Sequence, residues 1–328
     1  MLKDKKRIAL KVIEVGLTSI LAVLLMVAFF QVAGSANLPP TFLAVQGNAT
    51  VQYALIMDME LTAANDALID GLKASAKDVG SVVTLYQVDG EKSLAQAFEL
   101  ASLTQCEGIF VKLRKNAGAT NYIQKAVQSG MRVVVIDHDA PDSLRDAYIG
   151  ANPVLVGKKA AEMAIKWAKP IQSQSVMVLL GASHQDATGI ASSAYLNGFR
   201  QGVENALNPT NIEVVYTSEL ASEVIIENAL KAGKVQIFVC TEPEDTIKAM
   251  NVLIDYNRIK EVVLIGSGNI PQVVDGVEKG LIEASIQVDY VAMGVEAMRL
   301  MTKLIGDNAP TAYQLMPINV IEGPDNAK

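Results

Sequence analysis

The feature that most constrains this chain is a unit repeated from Val51 onward: a short β-branched run, a polar turn, then a stretch with helical apolar spacing. In a first series, VQYALIMD (51–58) precedes a helix expected over 62–78, and SVVTLYQ (81–87) one over 92–103. GIFVKL (108–113) precedes a helix expected over 117–129, and RVVVID (132–137) runs into the Pro-containing turn HDAPDS. After a helix over 154–169, a second series supplies SVMVLLG (175–181), IEVVYT (212–217), VQIFVC (235–240) and EVVLIG (261–266). Helices over 189–206, 220–231, 243–257 and 270–279 belong to this series. The apolar runs show no polar alternation, as expected of strands covered on both faces. Strand–helix alternation gives parallel sheets with right-handed crossovers. Two series therefore predict an α/β protein with two doubly wound parallel-sheet lobes. Ligands of such sheets lie beyond the carboxyl ends of the strands, and two facing lobes would place these ends across one cleft.

Ahead of the repeats, Lys3, Lys5, Lys6, Arg7 and Lys11 are followed by a largely apolar run from Val15 to about Ala33. A basic flank before an apolar run of roughly 20 residues is an export signal or a membrane helix with its positive end in the cytoplasm. Gly34-Ser35-Ala36 offers the small residues a signal peptidase accepts, whereas the length of the run favours retention as an anchor. No Cys follows for a lipid anchor. Residues 1–36 are accordingly assigned to a signal or membrane anchor and 37–50, with Pro39-Pro40, to a linker. The remainder is expected to lie outside the cytoplasm, in the cell envelope.

Composition removes several function classes. A net charge of −7 argues against a nucleic-acid surface, which needs clustered Lys and Arg. Aromatic residues make up 5% of the chain, with Trp167 the single tryptophan, so a site built on aromatic stacking is disfavoured. Cys106 and Cys240 form no CxxC pattern and read as small buried side chains beside strands. A dinucleotide site would need GxGxxG after the first strand; that turn has no glycine, and Gly266-Ser267-Gly268 continues as Asn-Ile-Pro. Asp58, Glu60, Asp137 and Asp139 stand at strand ends, where they suit either paired glycosidase carboxylates or acceptors for ligand hydroxyls. His138 and His184, the two histidines, fall in loops at strand ends, and their spacing matches no metal site. Lys112 and Arg114, ending the third strand, read as solvated or as facing an anionic ligand.

Certain segments are more specific. Residues 130–143 read GMRVVVIDHDAPDS, and 147–150 read AYIG, followed by GKKAAE at 157–162. LNGF stands at 196–199, DGVEKGLIEAS at 275–285, and Met293-Gly294 heads the next helix. These segments resemble the type I periplasmic binding proteins, in particular the branch that binds ribose and xylose and shares its body fold with the lactose repressor. The resemblance spans roughly 51–321, and no DNA-binding helix-turn-helix precedes it. It implies a clamshell whose chain crosses between lobes near 151–153, 286–289 and 309–316. The first lobe would comprise 51–152 plus 289–308, and the second 153–288 plus 309–328, with TAYQLMPINVIEG (311–323) finishing against the second.

The resemblance also implies a non-enzymatic receptor for a small polar ligand, a sugar above all, without cofactor or metal. Its binding positions fall on Asp58, Glu60 and Asn65, without the family's aromatic, and on Asp137 and His138 after the fourth strand. They continue with Tyr195, where the family has Arg, and Glu242 in the turn before a helix. Asn269, where the family has an acid, and Gln287 complete them, with His184 added from its loop. Closure of the clamshell would be presented to a membrane histidine kinase, as in xylose-sensing binding proteins, or to the permease of an ABC sugar importer.

Overall fold

The structure, a computed structural model, describes residues 41–43, 51–59, 62–114, 118–168, 175–181, 190–204, 211–217, 222–307 and 312–324. The expected anchor lies outside these residues; among the described ones no helix is long and apolar enough to cross a membrane. The described residues from Phe42 onward form one compact unit.

In chain order, β1 (Thr41–Leu43), β2 (Val51–Asp58), α1 (Ala63–Asp78), β3 (Ser81–Val88) and α2 (Glu91–Leu103) come first. They are followed by β4 (Gly108–Lys112), α3 (Thr120–Gln128), β5 (Arg132–Ile136) and β6 (Ala147–Gly150). Next are α4 (Pro153–Trp167), β7 (Ser175–Leu180), α5 (Ile190–Val203), β8 (Asn211–Tyr216), α6 (Ser222–Ala232) and β9 (Ile237–Cys240). The chain ends with α7 (Pro243–Asp255), β10 (Val263–Ser267), α8 (Pro271–Glu278), β11 (Ala284–Val288), α9 (Tyr290–Asp307), β12 (Ala312–Leu315) and β13 (Ile318–Glu322).

Two sheets result, ordered β1-β3-β2-β4-β5-β6-β12 and β13-β11-β10-β9-β7-β8. The pairings from β2 to β6 and from β7 to β11 are parallel, and β13 lies antiparallel to β11. Each sheet is covered on both faces, which is why its strands are continuously apolar. On β2, Tyr53, Leu55 and Met57 enter the core beneath α1 and α9, whereas Ala54 and Ile56 face the core beneath α2 and α3. In the second sheet, Val176, Val178 and Leu180 pack under α4 and α5, and Met177 and Leu179 under α6, α7 and α8. The period of two along each strand sorts its residues between the two cores. Cys106 and Cys240 are buried in separate cores as free thiols.

Small residues let the helices that flank the crossings approach closely. Gly71 of α1 lies against the backbone of Val291 in α9, and Gly294 of α9 against the backbone of Leu68 and Leu72. The second lobe repeats the device: Gly157 of α4 meets the backbone of Tyr195 and Phe199, and Gly198 of α5 meets that of Val154.

The chain passes between the sheets at Ala151–Asn152, at Asp289 and at Met316–Pro317. Two of these segments also start helices. The Asn152 side chain accepts from the N–H groups of Val154 and Leu155, and the Asp289 carboxylate accepts from Ala292 N–H at 2.9 Å. Each satisfies donors that a first helical turn leaves free. The third crossing corrects the expected lobe map. Residues 312–315 do not finish against the second sheet; β12 pairs parallel with β6 in the first, and β13 alone joins the second. Ala312 N–H donates to Asp146 O at 3.0 Å and Met316 N–H to Gly150 O at 2.9 Å. Pro317, with no N–H to give, then breaks the ladder so that the chain can change sheets.

Candidate ligand site

The carboxyl ends of β2, β4 and β5 lie side by side in the first sheet, and the polar residues there form one charged cluster. Its centre is Asp137, one residue beyond β5, with φ 69°. Non-glycine residues seldom occupy that region, and holding one there costs on the order of 1–3 kcal/mol. His138 N–H donates to Ile136 O at 2.8 Å across Asp137, closing a three-residue turn of the rarer γ form. Asp137 N–H donates to Ile149 O at 2.8 Å, and its carbonyl accepts from the Tyr148 hydroxyl at 2.9 Å.

The Asp137 carboxylate sits 3.0 Å from Lys112 Nζ, with side chains only 15% and 11% exposed. The Tyr290 hydroxyl reaches the same carboxylate at 3.4 Å, and His138 Nδ1 lies 3.6 Å away. Burial pushes the Asp137 carboxyl up, but the charge of Lys112, then His138 and the bonds from Lys112 and Tyr290, outweigh it and leave the group below its usual range. Asp137 is therefore an ionised acceptor at neutral pH. The Tyr290 hydroxyl is driven well above its ordinary value, first by burial and then by Asp137 and Glu242, so it remains a neutral donor. Tyr290 opens α9 against the first core, while Glu242 stands at the N-cap position of α7 in the second lobe, its side chain making no capping hydrogen bond.

Asp58 ends β2 and accepts the Arg114 N–H at 2.7 Å, with the Arg114 guanidinium 3.8 Å away. Asn65 is buried in the first turn of α1, its N–H donating to Thr62 Oγ1 at 3.2 Å. Gln287 lies on β11 two residues before the second crossing, and its side-chain Nε2 is buried with no hydrogen-bond partner among the described residues. Asn269 is exposed in the loop between β10 and α8. Tyr195 belongs to the apolar core under α5, 2% exposed, and is not brought to the cluster. At its position the α4–α5 contact needs a core side chain. Glu60 and His184 lie outside the described residues.

Three members of the cluster, Lys112, Tyr148 and Tyr290, were not among the binding residues expected from sequence. Lys112 had one visible signal, its place at a strand end; that it pairs with Asp137 follows only from β4 and β5 being neighbours. Asp139 forms a fork with Arg145, whose Nη2 donates to it at 2.8 Å, and so is already engaged locally. Among the described residues no group of three or more His, Cys, Asp or Glu could hold a metal ion.

Two parallel-sheet lobes joined by three crossings, with polar residues gathered at strand ends, define a periplasmic-binding-protein type I architecture. The family model for the periplasmic binding protein domain matches residues 53–309, and the chain belongs to that family. Among solved structures, XylFII is similar at 23% identity and TM-score 0.71, over 84% of this chain and 99% of that one. It is also known as an XylFII–LytSN complex, matched at 23% identity and TM-score 0.71 over 83% and 97% of the chains. A solute-binding protein of an ABC transporter from Burkholderia graminis, in complex with D-arabinose, matches at 18% identity and TM-score 0.75, over 86% and 98%. No curated protein matches the sequence.

Proposed function

We propose that this chain is an extracytoplasmic, non-enzymatic receptor for a monosaccharide, held at the membrane by its apolar N-terminal segment. The observation that carries this reading is the pair of groups fixed at the end of β5: an ionised Asp137 and a neutral Tyr290 hydroxyl 3.4 Å from it. A sugar hydroxyl both donates and accepts, and such a pair offers it one partner of each kind. Glu242 supplies an acceptor from the other lobe, so a ligand bound there touches both halves and favours the closed clamshell by its differential affinity. The D-arabinose complex supports sugar binding, and the XylFII–LytSN complex supports a protein partner. Closure is read by a membrane histidine kinase, in the manner of the xylose-sensing proteins the sequence resembles. The likeness to an ABC solute-binding protein favours a second reading, delivery of the sugar to a permease.

The test uses the full chain in nanodiscs. A thermal-shift panel of pentoses, hexoses and polyols at millimolar concentration should give at least one stabilising sugar, because a ligand confined to the native state raises the melting temperature. Asp137→Ala should weaken that sugar by at least about tenfold, since a hydrogen bond to a charged group contributes about 1.5–3 kcal/mol. A panel without a hit, or unchanged affinity in the variant, refutes the assignment. Co-purification with a kinase extracellular domain or with a permease separates the two partner readings.

A further inference from the structure

A non-glycine residue at positive φ persists only where its surroundings over-determine it. Around Asp137, one of those restraints comes from β6: the Tyr148 hydroxyl, which donates to the Asp137 carbonyl at 2.9 Å. Tyr148 is buried on β6, and its ring is held in turn by Tyr313 of β12, with centroids 4.8 Å apart. The Arg145 guanidinium lies 5.9 Å from the same ring. Gly150 leaves the space this needs. A Cβ there would collide with the Tyr148 hydroxyl and come within 3.0 Å of the Asp137 carbonyl oxygen. Both supports run into crossings between the sheets. Gly150 precedes Ala151–Asn152, and Tyr313 lies three residues before Met316, whose N–H donates to Gly150 O at 2.9 Å.

We propose that Tyr148 is a positioning residue: from β6 it fixes the left-handed turn at Asp137, so setting the direction of the carboxylate, and its tilted ring contact with Tyr313 ties that direction to the hinge strands. The binding consequence rests on Asp137 being a ligand contact; the turn itself does not. Tyr148→Phe keeps the ring and removes only the hydroxyl.

Hydrogen exchange of the full chain in nanodiscs, read at single amides by mass spectrometry, tests the turn without any ligand. The His138 amide should exchange at least about tenfold faster in Tyr148→Phe, with Val239 and Leu264 in the second sheet unchanged. Unchanged His138 exchange overturns the proposal, and so does faster exchange at all three amides, the sign of general destabilisation. Gly150→Ala, in which the added methyl displaces the hydroxyl, should repeat the selective effect. In a parallel arm, D-xylose is titrated into wild type, Tyr148→Phe, Asp137→Ala and the double variant. Tyr148→Phe should weaken D-xylose several-fold alone and add nothing once Asp137 is gone, the signature of acting through it. Additive losses overturn the positioning role. Failure of Asp137→Ala to change affinity, or of wild type to bind D-xylose, counts against the binding consequence, while the exchange arm still decides the turn.

Discussion

Lys112→Met tests the electrostatic account of the cluster most directly. At 3.0 Å and an effective dielectric constant of about 20, the Lys112–Asp137 attraction is about 5–6 kcal/mol before desolvation is subtracted. Removing one partner of a buried pair typically costs about 3–5 kcal/mol, because the other charge is left without compensation. Here Tyr290 and His138 still face the carboxylate and 15% of its side chain stays exposed, so about 2–3 kcal/mol is expected at neutral pH. The sign of the pH dependence is the sharper test. In the wild type the folded-state pKa of Asp137 lies below its ordinary value. Its contribution is present above about pH 4 and is lost as the pH falls through the lower folded value. In Lys112→Met, burial loses its main opponent and the folded pKa moves above the unfolded one. The penalty is then full at neutral pH and fades as the carboxyl protonates on acidification. Urea unfolding followed by far-UV circular dichroism should show the gap between variant and wild type shrinking by at least about half between pH 7 and pH 3.5. A gap under about 0.5 kcal/mol at pH 7, the level of a surface pair, refutes the reasoning. So does a gap that stays constant on acidification.

Other expectations follow from contacts outside the cluster. Gly71→Ala drives a methyl into the Val291 backbone, so α1 and α9 must part at a cost of about 1–3 kcal/mol in thermal or urea unfolding. Asp146 accepts Val133 N–H and the Arg132 guanidinium, each at 2.8 Å, so Asp146→Ala should cost about 1–3 kcal/mol through the stranded backbone donor. Glu296→Gln, at an exposed pair with Arg299 on α9, should change stability by less than about 0.5 kcal/mol.

The strands of both repeats were legible because covered parallel strands are apolar without interruption and end at polar turns. VQYALIMD is β2 from end to end, and SVMVLLG overran β7 only by Gly181. Helix starts were legible where Pro stands in the first turn, as at Pro153, Pro243 and Pro271. The fate of the last strands was not. TAYQLMPINVIEG is one polar–apolar stretch, and its division between two sheets depends on ladder partners at Asp146 and Gly150 that are more than 150 residues away. The site divides in the same way. Asp137 was visible from its strand-end position and its motif. Its backbone turn, the Lys112 pairing and the Tyr148 support were not, because each depends on which strands become neighbours. Tyr195 misled for a related reason: its alignment with a ligating Arg says where it stands along α5, not that this turn of α5 packs into the core.

Glu242 gives the closing movement a test of its own. Burial raises the Tyr290 hydroxyl first, and Asp137 of the first lobe and then Glu242 of the second add to it. Like charges brought together in a desolvating cleft repel, and that repulsion should hold the clamshell open until ligand hydroxyls donate to both carboxylates. A neutral amide in place of one acid should therefore close the empty protein more often. Leu103 and Val224, exposed on the first and second lobes, can carry spin labels through engineered cysteines, and the native Cys106 and Cys240 are buried and will compete little. Pulsed dipolar spectroscopy on sugar-free Glu242→Gln should show a larger short-distance population than wild type. A shift of about 1 kcal/mol would change the closed-to-open ratio roughly five-fold, well within the reach of such a distribution. Identical distributions would mean that repulsion between these acids does not set the resting state.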